Sequence, residues 1–194
     1  MKRDYLLLAL LLVGNITFAQ SPIERALNTI NRSSAEATIN FLASDELQGR
    51  EAGFHGSRVT SEYIVSLLQW MGVSPLADSY FQPFDAYRKE RQKKGRLEVH
   101  PDSIAKLKQE VHQKLTMRNV FGMIPGKNTK EYVIVGAHFD HLGIDPVLDG
   151  DQIYNGADDN ASGVSAVLQI ARAFLASGQQ PERNVIFAFW DGEE

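Results

Sequence analysis

Two short stretches of this chain are apolar at nearly every position, 132–137 (Tyr-Val-Ile-Val-Gly-Ala) and 185–190 (Val-Ile-Phe-Ala-Phe-Trp). Runs of this length, rich in β-branched and aromatic residues and without polar alternation, predict strands in a sheet interior. Elsewhere the apolar positions recur at helical spacing. Ile23, Ala26, Leu27 and Ile30 share one face, and Ala35, Ile39 and Leu42 form a second stripe. Val59, Tyr63, Ile64, Leu67, Leu68 and Met71 form a third, and Val164, Val167, Leu168, Ala171, Phe174 and Leu175 a fourth. Start and stop signals frame these helices. Ser21-Pro-Ile-Glu24 offers a capping hydroxyl, a proline at the first helical position and a glutamate three residues after the serine, and Ser33-Ser-Ala-Glu36 repeats the pattern. Gly72 and Gly178 follow the third and fourth stripes, where a left-handed residue ends a helix. The first three helices are expected to cover one face of the sheet.

Between these elements the pattern is less regular. Residues 45–56 read as a polar loop containing Gly49, Gly53 and Gly56. Residues 80–87 read as an edge strand, because Pro83 has no amide to donate to a central ladder. Residues 117–124 predict a strand, and Pro125-Gly-Lys-Asn128 a turn that pairs it antiparallel with the 132–137 strand. Residues 141–157 are an Asp-rich loop. The succession of strand 132–137, helix and strand 185–190 predicts a parallel crossover unit, and so the α/β fold class.

Composition narrows the chemistry. With 194 residues and 43% hydrophobic content the chain holds enough apolar material for a real core, and a net charge of -4 implies no nucleic-acid partner. Residues 88–118 carry ten of the 20 basic residues, but Glu90, Glu98, Asp102 and Glu110 are interspersed and base-stacking aromatics are lacking. The segment around 88–116 therefore reads as a solvated basic insertion. The absence of cysteine excludes disulfides, thiolate zinc sites and a lipoprotein anchor, leaving imidazole and carboxylate as the strong metal ligands. Lys2 and Arg3, the apolar run 6–13 and Thr17-Phe-Ala19 before Gln20 form a cleavable secretory signal over residues 1–19, too short to span a bilayer. The expectation is an exported protein, secreted or periplasmic, with residues 20–194 as the folded part.

Both buried strands discharge polar residues at their carboxyl ends, where open α/β sheets collect ligands. The first delivers His138 and Asp140, the second Asp191, Glu193 and Glu194, and Asp158-Asp159 lies just before the fourth helix. Each has a plain structural reading: a core histidine, a helix N-cap and a solvated acidic pair. Their convergence at strand ends is what points to a metal, with Asp140 placed to hold the His138 imidazole in one tautomer. A calcium loop on Asp145, Asp149 and Asp151 is the competing ion site, but the spacing does not fit an EF-hand.

His138-Phe-Asp140, Gly156-Ala-Asp-Asp-Asn-Ala-Ser-Gly163 and Glu193-Glu194, in this order and spacing, resemble the co-catalytic di-zinc aminopeptidases of clan MH, the bacterial leucyl aminopeptidase type. Leu42-Ala-Ser-Asp-Glu-Leu-Gln-Gly-Arg50 is similar to the entry segment of their secreted bacterial members. The resemblance implies a three-layer sandwich with a mixed, mostly parallel sheet flanked by helices. It implies His138 as a ligand of one zinc, Asp159 as the carboxylate bridging two zinc ions, Glu194 as a ligand of the other, Glu193 as the general base, and Asp140 as the partner of His138. It also implies a cis peptide at Asp159–Asn160 and peptide substrates cleaved at their free amino terminus by a water activated between two zinc ions. Members of the family draw a further Asp and His from sequence beyond the position of Glu194, and His55, His100, His112 and His141 do not stand at matching positions. The expectation is thus an N-terminal part of the domain, incomplete at its C-terminus and inactive alone. Two rival readings remain: a glutaminyl cyclase-like enzyme with a single zinc, and a non-catalytic binding remnant of the same fold. The oligomeric state and the preferred side chain are not legible in the sequence.

Overall fold

The run 185–190 is the most completely apolar segment among the described residues, and it takes a position in the sheet where residues 185–189 are all buried. The computed structural model describes residues 20–89 and 97–194; residues 1–19, expected to be a signal segment, and part of the basic insertion, 90–96, lie outside them. Five helices are described: α1 (Pro22–Leu27), α2 (Arg32–Leu42), α3 (His55–Met71), α4 (Pro101–Leu107) and α5 (Ser162–Ser177). Five strands form one sheet: β1 (Ser74–Pro75), β2 (Phe81–Lys89), β3 (His112–Ile124), β4 (Asn128–His138) and β5 (Arg183–Trp190). Its order is β1-β3-β5-β4, with β2 also paired to β3.

The α/β class and the mixed sheet flanked by helices hold, but the sheet is not mostly parallel. Only β4 and β5 run parallel, while β1, β2 and β5 all pair antiparallel with β3. The expected antiparallel pair of β3 with β4 is also absent, because β5 sits between them. Residues 184–189 are buried throughout, so β5 gains more from the central place than β4, whose residues 131–134 are exposed. Asn184 fixes the crossing: its Oδ1 accepts the Gly126 amide at 2.9 Å and its Nδ2 donates to the Thr129 carbonyl at 3.0 Å.

Alternate residues of the strands face the helices. Val120 and Ile124 of β3, Val185, Phe187 and Phe189 of β5 and Ala137 of β4 form the main core with Leu42 of α2, Ile64 and Leu68 of α3 and Val164, Val167 and Ala171 of α5. Gly72 (φ 84°) ends α3 and Gly178 (φ 68°) ends α5, as the sequence predicts. On the other face Phe121, Ile186 and Ala188 cluster with Leu76 and Met123, and Tyr132 and Ile134 of β4 are exposed. The helices of the main core, α2, α3 and α5, all share one sheet face.

Three local expectations are corrected. The second helix begins at Arg32, capped by Asn31, whose Oδ1 accepts the Ser34 amide at 2.9 Å, and not by Ser33. The Ser21 capping box forms as expected, but α1 buries none of its residues and lies against α5 instead of the sheet. There the Arg25 guanidinium donates to the Ala176 and Ser177 carbonyls at 3.3 and 2.5 Å, neutralising part of the negative helix end. The basic insertion is not solvated throughout: its described residues include α4, which buries Leu107, and the start of β3, which pairs with β2 from Lys89↔His112 to Phe81↔Val120. Among the described residues, no helix is long and apolar enough to cross a membrane.

Candidate metal centre

Because β4 and β5 are parallel and in register at His138↔Trp190, their carboxyl ends lie side by side. The Phe139 amide extends the ladder by one bond to the Trp190 carbonyl, 2.9 Å. Beyond it the chain after β4 and the chain after β5 are joined through a single carboxylate. Asp140 is fully buried and accepts the amides of Glu193 at 3.2 Å and Glu194 at 3.3 Å. Burial pushes its carboxyl above the usual range, against the opposing pull of those amides and of His138. Asp140 also meets His138. Its backbone oxygen lies 3.3 Å from Nδ1, within hydrogen-bond reach, and its carboxylate lies 3.6 Å away, beyond it. With Nδ1 donating to that backbone oxygen, a neutral imidazole would present the Nε2 lone pair to a bound ion.

Asp159 reaches the same place from another direction. It lies in the kinked turn Ala157–Ala161 that precedes α5, where its own backbone is not helical (φ -112°, ψ 95°), and the Asp159–Asn160 peptide is cis, as the resemblance implies. The plain reading of Asp158-Asp159 as a helix cap does not apply, since Asn160 Oδ1 accepts the Gly163 amide at 2.9 Å and leaves the Asp159 carboxylate free of that task. Asp159 Oδ1 lies 2.9 Å from His138 Nε2, and Glu193 Oε2 lies 4.0 Å from the same nitrogen. His138 is mostly buried, whereas the Asp159 and Glu193 side chains are exposed.

One donor atom each from His138, Asp159 and Glu194 all lie within 4.8 Å of one another, and this is the one such group of three or more among the described residues. Imidazole nitrogen and carboxylate oxygen are donors that zinc accepts, and a catalytic zinc takes three protein ligands, so the set fits such an ion. The rival calcium loop is not assembled: the Asp145 and Asp151 carboxylates accept the amides of Val147 and Ile153 within their own turns.

Three residues around this group take parts that the sequence did not give them, although it had placed Asp191 at the same strand end. His141 Nδ1 lies 2.9 Å from Glu194 Oε1; a carboxylate only accepts, so the imidazole donates and orients that side chain. The ring also meets Tyr154 edge-on. Asp191 anchors the start of the Glu193-Glu194 segment from below, accepting the Ser57 hydroxyl at 2.9 Å and the Arg118 amide at 3.2 Å. Burial, reinforced by the charge of Asp140, pushes its carboxyl up to about 7. Arg50, in the segment read as a polar loop, is fully buried. His141 could have been suspected from its place one residue after Asp140, whereas Arg50 and Asp191 carry no local signal of burial.

Known proteins resemble this chain in part or over most of its length. Residues 119–194 match Peptidase family M28. Aminopeptidase NAALADL1 of Mus musculus is 35% identical over 98 residues, covering 46% of this chain and 12% of its own length. Among solved structures, the zinc aminopeptidase BSAP from Bacillus subtilis superposes with a TM-score of 0.56 at 16% identity, over 84% of this chain and 62% of that one. A glutaminyl cyclase from Porphyromonas gingivalis gives 0.54 at 21% identity, over 84% and 46%. The chain thus spans about an eighth of the mouse relative's length and about half to two thirds of the solved ones, whose superposition shows a shared fold. The stretch that carries His138, Asp159, Glu193 and Glu194 is the part of the chain that is similar to Peptidase family M28.

Proposed function

We propose that this chain is the metal-binding part of an exported zinc aminopeptidase, with His138, Asp159 and Glu194 as zinc ligands, Glu193 as general base and Asp140 as the residue that orients His138. The observation that carries the reading is the meeting of three donor side chains from three distant segments within 4.8 Å, beside a fourth carboxylate that is not needed as a donor. When bound, zinc would polarise the scissile carbonyl and lower the pKa of a water. The chain's own part is then to receive and return a proton. Glu193, exposed and 4.0 Å from the ligand nitrogen, stands where it takes the proton from the attacking water and passes it to the leaving amine. Asp140 holds the Glu193 and Glu194 amides, so base and ligand keep fixed positions while the proton moves.

Asp159, adjacent to His138 Nε2 and open to solvent, is proposed as the carboxylate shared between two zinc ions. Three donors complete one catalytic zinc shell and leave two shells short, so the 194-residue chain alone is expected to bind zinc without hydrolysing peptides. The same count keeps a single-zinc, glutaminyl cyclase-like reading alive. Export rests on the sequence of residues 1–19, and cleavage after Ala19 is its test by mass spectrometry of the mature protein.

Glu193→Gln in the catalytically competent protein tests the central assignment. Zinc content should stay constant while kcat for release of the N-terminal amino acid from short peptides falls about 10²- to 10⁴-fold. An unchanged rate would reject the enzymatic role, and one zinc per active polypeptide with cyclisation of N-terminal glutamine would favour the rival.

A further inference from the structure

We propose that Arg50 is a positioning residue that sets the separation between the His138 end of β4 and the Asp159 turn, so that the zinc donors are held in place before the ion arrives. The inference rests on the metal-centre reading above and adds to it a residue outside the donor set.

Arg50 is fully buried, yet none of its hydrogen bonds goes to a carboxylate. All of its side-chain bonds end on main-chain carbonyls. Nε donates to Phe139 at 2.8 Å, between His138 and Asp140 in sequence; Nη1 donates to Asn155 at 2.7 Å and to Leu42; Nη2 donates to Gly156 at 2.9 Å, three residues before Asp159. The main chain of Arg50 adds a further tie, its carbonyl accepting the His141 amide at 3.1 Å. One side chain therefore ties the end of α2, 8 residues before it, to the end of β4 and to the approach to the Asp159 turn, which lie 89 and 105 residues after it. Only a guanidinium has enough donors in a rigid planar fork to hold these carbonyls at once.

The local backbone is shaped for this placement. Gln48, Gly49 and Arg50 have φ of 51°, 66° and 50°, a run of left-handed residues that aims the Arg50 side chain inward. Two of these three are not glycine, a conformation that persists only where surrounding contacts hold it. Gly49 itself must lack a side chain, since a Cβ there would stand 2.3 Å from the Gly143 carbonyl oxygen. A buried cation without a contacting anion is costly, and the long-range attraction of Asp140 and Asp159 offsets part of that cost. The positive charge in turn offsets the repulsion of the carboxylates gathered at the site. Geometry and charge thus serve the same end, a donor set kept close together while it lacks its ion.

The test compares zinc affinity with global stability. Arg50→Lys keeps the charge but offers a single nitrogen in place of the fork; Leu68→Ala opens the fully buried main core away from the site and serves as the stability control. Zinc dissociation constants would be measured for the 194-residue chain by competition with a chromophoric chelator, and unfolding midpoints by circular dichroism. Arg50→Lys should weaken zinc binding about ten- to a hundredfold, as loss of outer partners of metal ligands does, while Leu68→Ala should lower the midpoint and leave affinity within about twofold. Equal affinities of wild type and Arg50→Lys overturn the proposal, as does equal weakening in both variants or failure of Arg50→Lys to fold, which would make the residue one of folding alone. A wild-type chain that binds no zinc refutes instead the metal-centre reading on which the proposal stands.

Discussion

Asp191 gives the structure a measurable pH signature. Its carboxyl is only 6% exposed and is pushed from an ordinary value of 3.8 up to about 7. Below about 3.8 the folded and unfolded chains both hold the proton. Between there and about 7 the unfolded chain has released it and the folded chain has not, so stability declines by roughly 1.4 kcal/mol per pH unit. The contribution is fully present in acid and is lost as pH rises through about 7, and from about pH 5 to about pH 8 the loss is roughly 3 kcal/mol. Asp191→Asn removes the titration while keeping the shape. The amide can accept from either the Ser57 hydroxyl or the Arg118 amide but cannot accept fully from both, which imposes a pH-independent cost of about 1–3 kcal/mol. Urea denaturation of both proteins in the presence of a chelator, across that pH range, gives the difference curve. It should shift in favour of the variant by roughly 3 kcal/mol on going from acid to alkaline pH. A flat difference curve would refute the reasoning and show that Asp191 is ionised in the folded chain at neutral pH.

Two further outcomes follow from the packing. His141→Ala removes the donor to Glu194 Oε1 and should weaken zinc binding about tenfold, with His141→Asn recovering part of the loss; equal affinities measured by chelator competition would show that Glu194 is oriented without it. Phe187→Ala removes a fully buried ring that meets Phe174 edge-on in the main core, and should cost about 3–5 kcal/mol in urea denaturation, where a loss under about 1 kcal/mol would show that the core collapses around the gap.

What the sequence determined by itself is what depends on near neighbours. The Ser21 box, the glycine stops at 72 and 178, the helices around Ile64 and Val167 and the strands 132–137 and 185–190 all follow from spacing within one element, and each is present. The candidate donors were legible for the same reason: polar residues just past an apolar strand gather at its carboxyl end, and His138 and Glu193-Glu194 lie at neighbouring ends of the parallel pair. Tertiary structure decided which strands became neighbours. Pairing is a competition between distant segments, and β5, buried along nearly its whole length, displaced β4 from the expected partnership with β3 and left a sheet with one parallel pair. It also decided which polar residues were drawn inside. Arg50 and Asp191 look solvated in their own surroundings, and only carbonyls and hydroxyls supplied from far along the chain make their burial tolerable.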